Sequence, residues 1–113
     1  MAQLSATLDT AFQALADPTR RAVVSHLGAG PASVSELAAP FEMALPSFMK
    51  HIHYLENAGL IRTRKTGRVR TCTLNRKSFD DVDNWLAEQR RIWESRTDRL
   101  EEFVTTNQKE SSE

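Results

Sequence analysis

Apolar positions recur along the chain with two periods, and these divide it into elements. Leu4, Leu8, Ala11, Phe12 and Leu15 fall on one helical stripe, which predicts a first helix over about residues 4–16. Asp17-Pro18 restarts the chain, since a carboxylate can accept from the free N–H groups of a new helix and proline suits its first turn. The helix that follows carries Ala22, Val23 and Leu27 and stops in the loop Gly28-Ala29-Gly30-Pro31. Ser33 and Glu36 then stand at capping-box spacing around Val34, Leu37, Ala38 and Phe41, predicting a short helix that breaks between Pro40 and Met43. Leu45, Phe48, Ile52 and Leu55 form the stripe of a fourth helix over 44–58, ended by Gly59. Ser47, Lys50, His51 and Tyr54 make its polar face.

After Leu60 the period falls to two. Ile61 and Thr63, then Val69, Thr71 and Thr73, alternate with basic residues on either side of Thr66-Gly67, which predicts a hairpin over 61–74. From Ser78 the helical period returns. Val82, Trp85, Leu86, Gln89, Ile92, Trp93, Arg96, Leu100, Phe103 and Val104 share one side of a helix over 79–104. Ser78 is placed to cap it, with Asp80 and Asp81 favourable in its first turn. Residues 108–113 are expected to be a frayed polar tail. The expected fold is mainly α with a small β-hairpin, one domain over residues 1–107 in the order α-α-α-α-β-β-α. Two short helices across a tight turn, followed by a basic hairpin, are the elements of a winged helix-turn-helix.

Composition sharpens this. The 113 residues are 40% hydrophobic and 27% charged, ordinary for one globular domain. The net charge of zero conceals segregation. Residues 1–45 sum to −2 and residues 80–113 to −5, whereas residues 46–79 carry eight Lys or Arg against Glu56 alone, a net of +7. A basic block between two acidic ones is a footprint for a polyanion. The expected partner is therefore double-stranded DNA, with 44–58 as recognition helix and 61–74 as wing. The last helix is too apolar for so small a domain to cover, so a homodimer is expected through Leu8 and Phe12 of the first helix and Trp85, Ile92, Trp93, Leu100 and Phe103 of the last. A two-fold dimer would place two recognition helices about 34 Å apart on a pseudo-palindromic site. An unidentified apolar effector has room in the same reading, near Phe12, Trp85 or Trp93.

Other chemistry finds little support. The N-terminal residues show no basic segment followed by an apolar run, and no stretch approaches the roughly 20 apolar residues of a membrane span. A lone cysteine excludes an internal disulfide and suits a reducing cytoplasm. There is no phosphate-binding glycine loop, catalytic triad or carboxylate pair, so neither an enzyme nor a cofactor is expected. His51 and His53 are two apart and diverge on a helix, while His26 is remote, so no metal site is expected. Cys72 reads as a small buried hydrophobe in a strand, with a thiol redox switch as the alternative.

Several motifs in order carry a family resemblance: Ala16-Asp17-Pro18-Thr19-Arg20-Arg21, Ser35-Glu36-Leu37-Ala38, Lys50-His51, Leu55-Glu56, and Ala58-Gly59-Leu60-Ile61 leading to Gly67-Arg68. Over about residues 10–104 the chain resembles the ArsR family of bacterial winged-helix repressors. The Trp85-Leu86 and Trp93…Asp98-Arg99-Leu100-Glu101 pattern is similar to a subgroup that is usually not metal-responsive and whose genes often neighbour those of START-like ligand-binding proteins. The resemblance implies a dimeric repressor. Family metal sensors use cysteines before the recognition helix or histidines on the last helix, and both are missing here. The chain departs from the family at Ala44-Leu45, where a Ser-Gln pair is common, and at Met49, where serine is common. Base reading then falls to Ser47, Met49, Lys50, His51 and His53, with Lys50 suited to guanine and Met49 to a thymine methyl. Arg64, Lys65, Arg68 and Arg70 are expected on phosphates or in the minor groove. The same departures motivate a rival, a winged-helix dimer that serves as a protein-interaction module.

Overall fold

The computed structural model describes the backbone of residues 2–112 and the side chains of residues 7–96 and 99–101. The elements are α1 (Ala2–Ala14), α2 (Pro18–Leu27), β1 (Ala32–Ser33), α3 (Val34–Ala38), α4 (Leu45–Asn57), β2 (Ile61–Thr66), β3 (Val69–Leu74) and α5 (Ser78–Ser112). They form two compact units, Met1–Val82 and Asp83–Glu113. Among the described residues no helix is long and apolar enough to cross a membrane.

Local chemistry sets most boundaries. Asp17 has extended backbone and its carboxylate accepts from the Arg20 N–H at 3.1 Å, with Pro18 opening α2. Ser33 Oγ accepts from the Glu36 N–H at 3.1 Å and donates to the Glu36 carboxylate at 3.1 Å, a variant of the capping box. At the end of α4 the Leu60 N–H reaches the Leu55 carbonyl and the Gly59 N–H reaches that of Glu56. This paired pattern needs a left-handed residue, supplied by Gly59 at φ 78°. Leu60 and Leu55, which the motif brings together, are both fully buried. Gly67 at φ 62° opens the two-residue turn between Thr66 and its partner Val69.

The sequence expectations need five amendments. β1 was not expected; it adds Ala32 and Ser33 to the hairpin opposite Cys72 and Thr71, giving an antiparallel sheet in the order β1-β3-β2. Two residues are too short to show a period. α1 ends at Ala14 instead of 16, because the chain must turn there to present Asp17 as a cap. Leu45 is not part of the buried stripe but 56% exposed, since the stripe closes on the core from Phe48 onward. The helical backbone continues to Ser112, through the segment expected to fray. No proline or glycine follows Gly67, and Gln108, Lys109 and Glu110 are good helix formers.

The fifth concerns Ser78. Instead of capping α5, its hydroxyl donates to the Gly59 carbonyl at 2.6 Å. Asn75 Nδ2 donates to the same carbonyl at 2.9 Å, and the Asn75 N–H to the Leu60 carbonyl at 2.9 Å. The start of α5 is thereby pinned to the end of α4.

The core of the first unit gathers Leu8, Ala11 and Ala14 of α1, Val23 and Leu27 of α2, Leu37 of α3, Phe48, Ile52 and Leu55 of α4, and Ile61 and Cys72 of the sheet. Among the described residues no polar or charged side chain is buried with them. Phe48 is 0% exposed and lies 5.6 Å, ring to ring, from Phe41. Phe48→Ala should therefore cost about 3–5 kcal/mol. Leu45→Ala, at the exposed start of the same helix, should change stability by about 0.5 kcal/mol or less. Urea denaturation of both variants tests whether the stripe closes at Phe48.

Candidate nucleic-acid interface

The side of α4 away from the core carries Pro46, Lys50, His53 and Asn57, all exposed, with exposed Ser47 and half-exposed Tyr54 beside them. Sequence reasoning expected Ser47, Lys50 and His53 here, and the structure brings them together. Met49 sits half-buried on the flank toward the hairpin.

His51 has a different setting. Arg20 Nη1 donates to its Nδ1 at 3.3 Å, and the Asp17 carboxylate lies 3.7 Å from the same nitrogen. A guanidinium can only donate, so this contact is a hydrogen bond while Nδ1 carries no proton, and Nδ1 faces Asp17 when it carries one. The same guanidinium stacks on Tyr54 at 4.1 Å from the ring centre. It also donates from Nε to the Ala14 carbonyl at 2.6 Å and from Nη2 to that of Gln13 at 3.0 Å. Arg20 thus ties the end of α1 and the start of α2 to one flank of α4. Sequence reasoning missed it, because the contact with His51 spans 31 positions.

Asp17 completes this flank. Its partial burial disfavours ionisation, but the Arg20 N–H, His51, the Arg20 charge and the Thr19 N–H outweigh that, and the carboxyl is held below the ordinary carboxylate range.

The opposite flank of α4 meets the hairpin. Glu56 accepts from the Thr63 hydroxyl, and Arg70 donates to the same hydroxyl at 3.0 Å. His53 Nδ1 lies 3.8 Å from the Glu56 carboxylate. Arg70 is therefore half-buried and partly engaged within the chain, whereas Arg64, Lys65 and Arg68 are exposed. No ion pair engages Lys50, Arg64, Lys65 or Arg68 among the described residues. A groove runs between the start of α4 and the hairpin, lined by Ser33, Val34, Ser35, Leu45, Met49, Lys65, Arg68, Val69 and Arg70. Leu45 and Val69, 56% and 53% exposed, were not expected to share one site.

Cys72 lies in the sheet beneath, 0% exposed. Burial, and next the Glu56 charge, push its thiol up, with Arg70 pulling weakly the other way.

Of the residues expected at a dimer interface, Leu8 is not available in the first unit, because it is in that unit's own core at 9% exposure. Phe12 is 39% exposed. In the second unit Trp85, Ile92, Trp93 and Leu100 are 41%, 36%, 55% and 64% exposed. The Phe103 side chain falls outside the described residues. No three His, Cys, Asp or Glu residues converge as metal ligands among the described residues.

A helix-turn-helix domain model matches residues 15–64. The crystal structure of an ArsR family transcriptional regulator, RHA00566, superposes with a TM-score of 0.77 at 64% identity, over 80% of this chain and 94% of that one. The chain belongs to the ArsR family. A transcriptional regulator of Mycobacterium tuberculosis, Rv2034, is 42% identical over 67 residues, which span 59% of this chain and 63% of that protein. The transcriptional repressor SdpR of Bacillus subtilis is 29% identical over 79 residues, 70% of this chain and 88% of that protein. In ArsR terms α3 and α4 are the helix-turn-helix and β2–β3 the wing.

Asp17→Ala should cost about 1 kcal/mol at neutral pH through the lost cap. Because the folded carboxyl titrates below its unfolded value, that contribution is present above the ordinary carboxylate pKa and lost as pH falls through the lowered one. The stability gap between wild type and variant should therefore close in acid, as measured by urea titrations at several pH values. Cys72 should resist an aromatic disulfide reagent at pH 8 in the native protein and react at once in denaturant. Rapid native labelling would restore the thiol switch as a reading.

Proposed function

We propose that this ArsR-family chain is a DNA-binding transcriptional repressor. It acts as a homodimer on a pseudo-palindromic operator and responds to something other than a metal ion. The observation that carries the reading is the set of exposed cations, Lys50 on α4 and Arg64, Lys65 and Arg68 on the wing, that meet no carboxylate among the described residues. Charges left unneutralised on a helix and on the hairpin beside it suit a regularly spaced polyanion. Resemblance to the repressor SdpR supports the direction of regulation.

Roles follow from placement. Ser47, Lys50 and His53 face outward from α4 and are assigned to base edges, with Lys50 suited to guanine O6 and N7. His51 is assigned chiefly to holding the helix. Arg64, Lys65 and Arg68 are assigned to phosphates, which give affinity and register without sequence information. Arg70 closes the wing root and lends charge. Phe12, Trp85, Ile92, Trp93, Leu100 and Phe103 remain the proposed dimer surface. Of these, Phe12, Trp85, Ile92, Trp93 and Leu100 are exposed, which on a chain this small favours such a contact. The lack of thiolate or imidazole clusters in the sequence of α3 and α5 favours a non-metal signal.

Selection from a random duplex library should return a two-fold symmetric site with half-sites one helical turn apart. On that site log K should fall linearly with log salt, with a slope of about −0.9 per phosphate contacted. Arg68→Ala should weaken binding to all sequences alike and flatten the slope by about 1, whereas Lys50→Ala should relax selectivity at one base position. Sedimentation should give a dimer that Trp93→Glu dissociates. A dimer that selects no sequence would make the fold a protein-interaction module instead.

A further inference from the structure

The first turn of a DNA-reading helix is an unusual place for a large aliphatic side chain. Leu45 stands there 56% exposed and contributes little to the core. Its neighbours explain the exposure. Met49, one turn on, lies on the same flank of α4. Val69, 53% exposed on β3, faces the same groove from the wing. Lys65, Arg68 and Arg70 line it too, with Val34, Ser33 and Ser35, and no carboxylate is among its lining residues. The groove thus sets apolar side chains beside cations.

We propose that this groove takes one edge of a DNA strand, with Leu45 and Met49 packed on thymine 5-methyl groups and Val69 against the adjoining deoxyribose. The assignment rests on the DNA-binding reading above and adds to it the base that is read. Double-stranded DNA offers apolar and anionic groups side by side in one place. The thymine methyl projects into the major groove close to the backbone of its own strand. A strand lying between helix and wing therefore brings a methyl to the helix and a phosphate to Lys65 or Arg68 together. An apolar side chain makes no hydrogen bond, so it discriminates thymine by area buried and by leaving the donors and acceptors of other bases unmet.

The test uses the full chain and the duplex returned by library selection, prepared with either thymine or uracil. Uracil pairs identically but lacks the methyl. The wild type should bind the uracil duplex about fourfold more weakly for each methyl withdrawn from contact. In the Leu45→Ala, Met49→Ala double variant that ratio should collapse toward one, with circular dichroism confirming that α4 remains folded. Val69→Ala should weaken both duplexes equally. Equal binding of both duplexes by the wild type, with the selected sequence still preferred over random DNA, overturns the methyl assignment and leaves the DNA reading intact. A ratio that persists in the double variant also overturns it, because the methyl would then act through the shape of the DNA. Failure to select any sequence overturns the DNA reading and this assignment with it.

Discussion

One guanidinium holds the presenting surface in place. Arg20 donates to two carbonyls at the end of α1 and to His51 on α4, and lies flat on Tyr54, while its main-chain N–H is capped by Asp17. The carbonyls are groups that a helix end leaves without intrahelical partners. A lysine could not replace it. Its single ammonium lacks the planar fork that meets a ring face, two carbonyls and a ring nitrogen at once. Each bond contributes only about 1 kcal/mol net, but together they set the roll of α4 about its axis. That roll decides which side chains face outward. His51 is drawn back toward α2, and Lys50 and His53 are left on the outside.

The two flanks of α4 are held by different means. On one side the tie is Arg20. On the other, Glu56, Thr63 and Arg70 bind the helix to the root of the wing. Between them the buried stripe of Phe48, Ile52 and Leu55 supplies the hydrophobic anchor. Apolar packing alone would tolerate small rotations of a helix, whereas directional bonds on both flanks do not. Preorganisation of this kind lowers the entropy lost on binding a rigid partner.

Wherever structure was decided within a few residues, the sequence was readable. Asp17-Pro18, Ser33 with Glu36, Gly59 and Gly67 each act on neighbouring backbone, and each marks an observed boundary or turn. Ser47 and Lys50 were legible for the same reason, since helical spacing alone puts them away from the core stripe, whereas the same spacing grouped His51 with them and left His53 out. Features that depend on distant partners were not. Ser78 resembles a cap in sequence, yet its hydroxyl goes to a carbonyl 19 positions away. Strand β1 exists only because Cys72 and Thr71 offer a free edge. Leu8 looked like interface because periodicity reveals that a face is apolar without revealing what covers it.

The base of the wing is closed like the neck of a purse. Asn75 bonds to Leu60 through its main chain and to Gly59 through its side chain, and Ser78 meets the same Gly59 carbonyl. Everything between these residues departs from and returns to one fixed point. The tip at Gly67-Arg68 can then change in length or charge without disturbing the helices, as exposed turns between anchored strands generally allow. Variation among relatives should therefore accumulate at the tip and spare the neck. A lineage could retune how strongly the protein grips its target while leaving what it reads untouched.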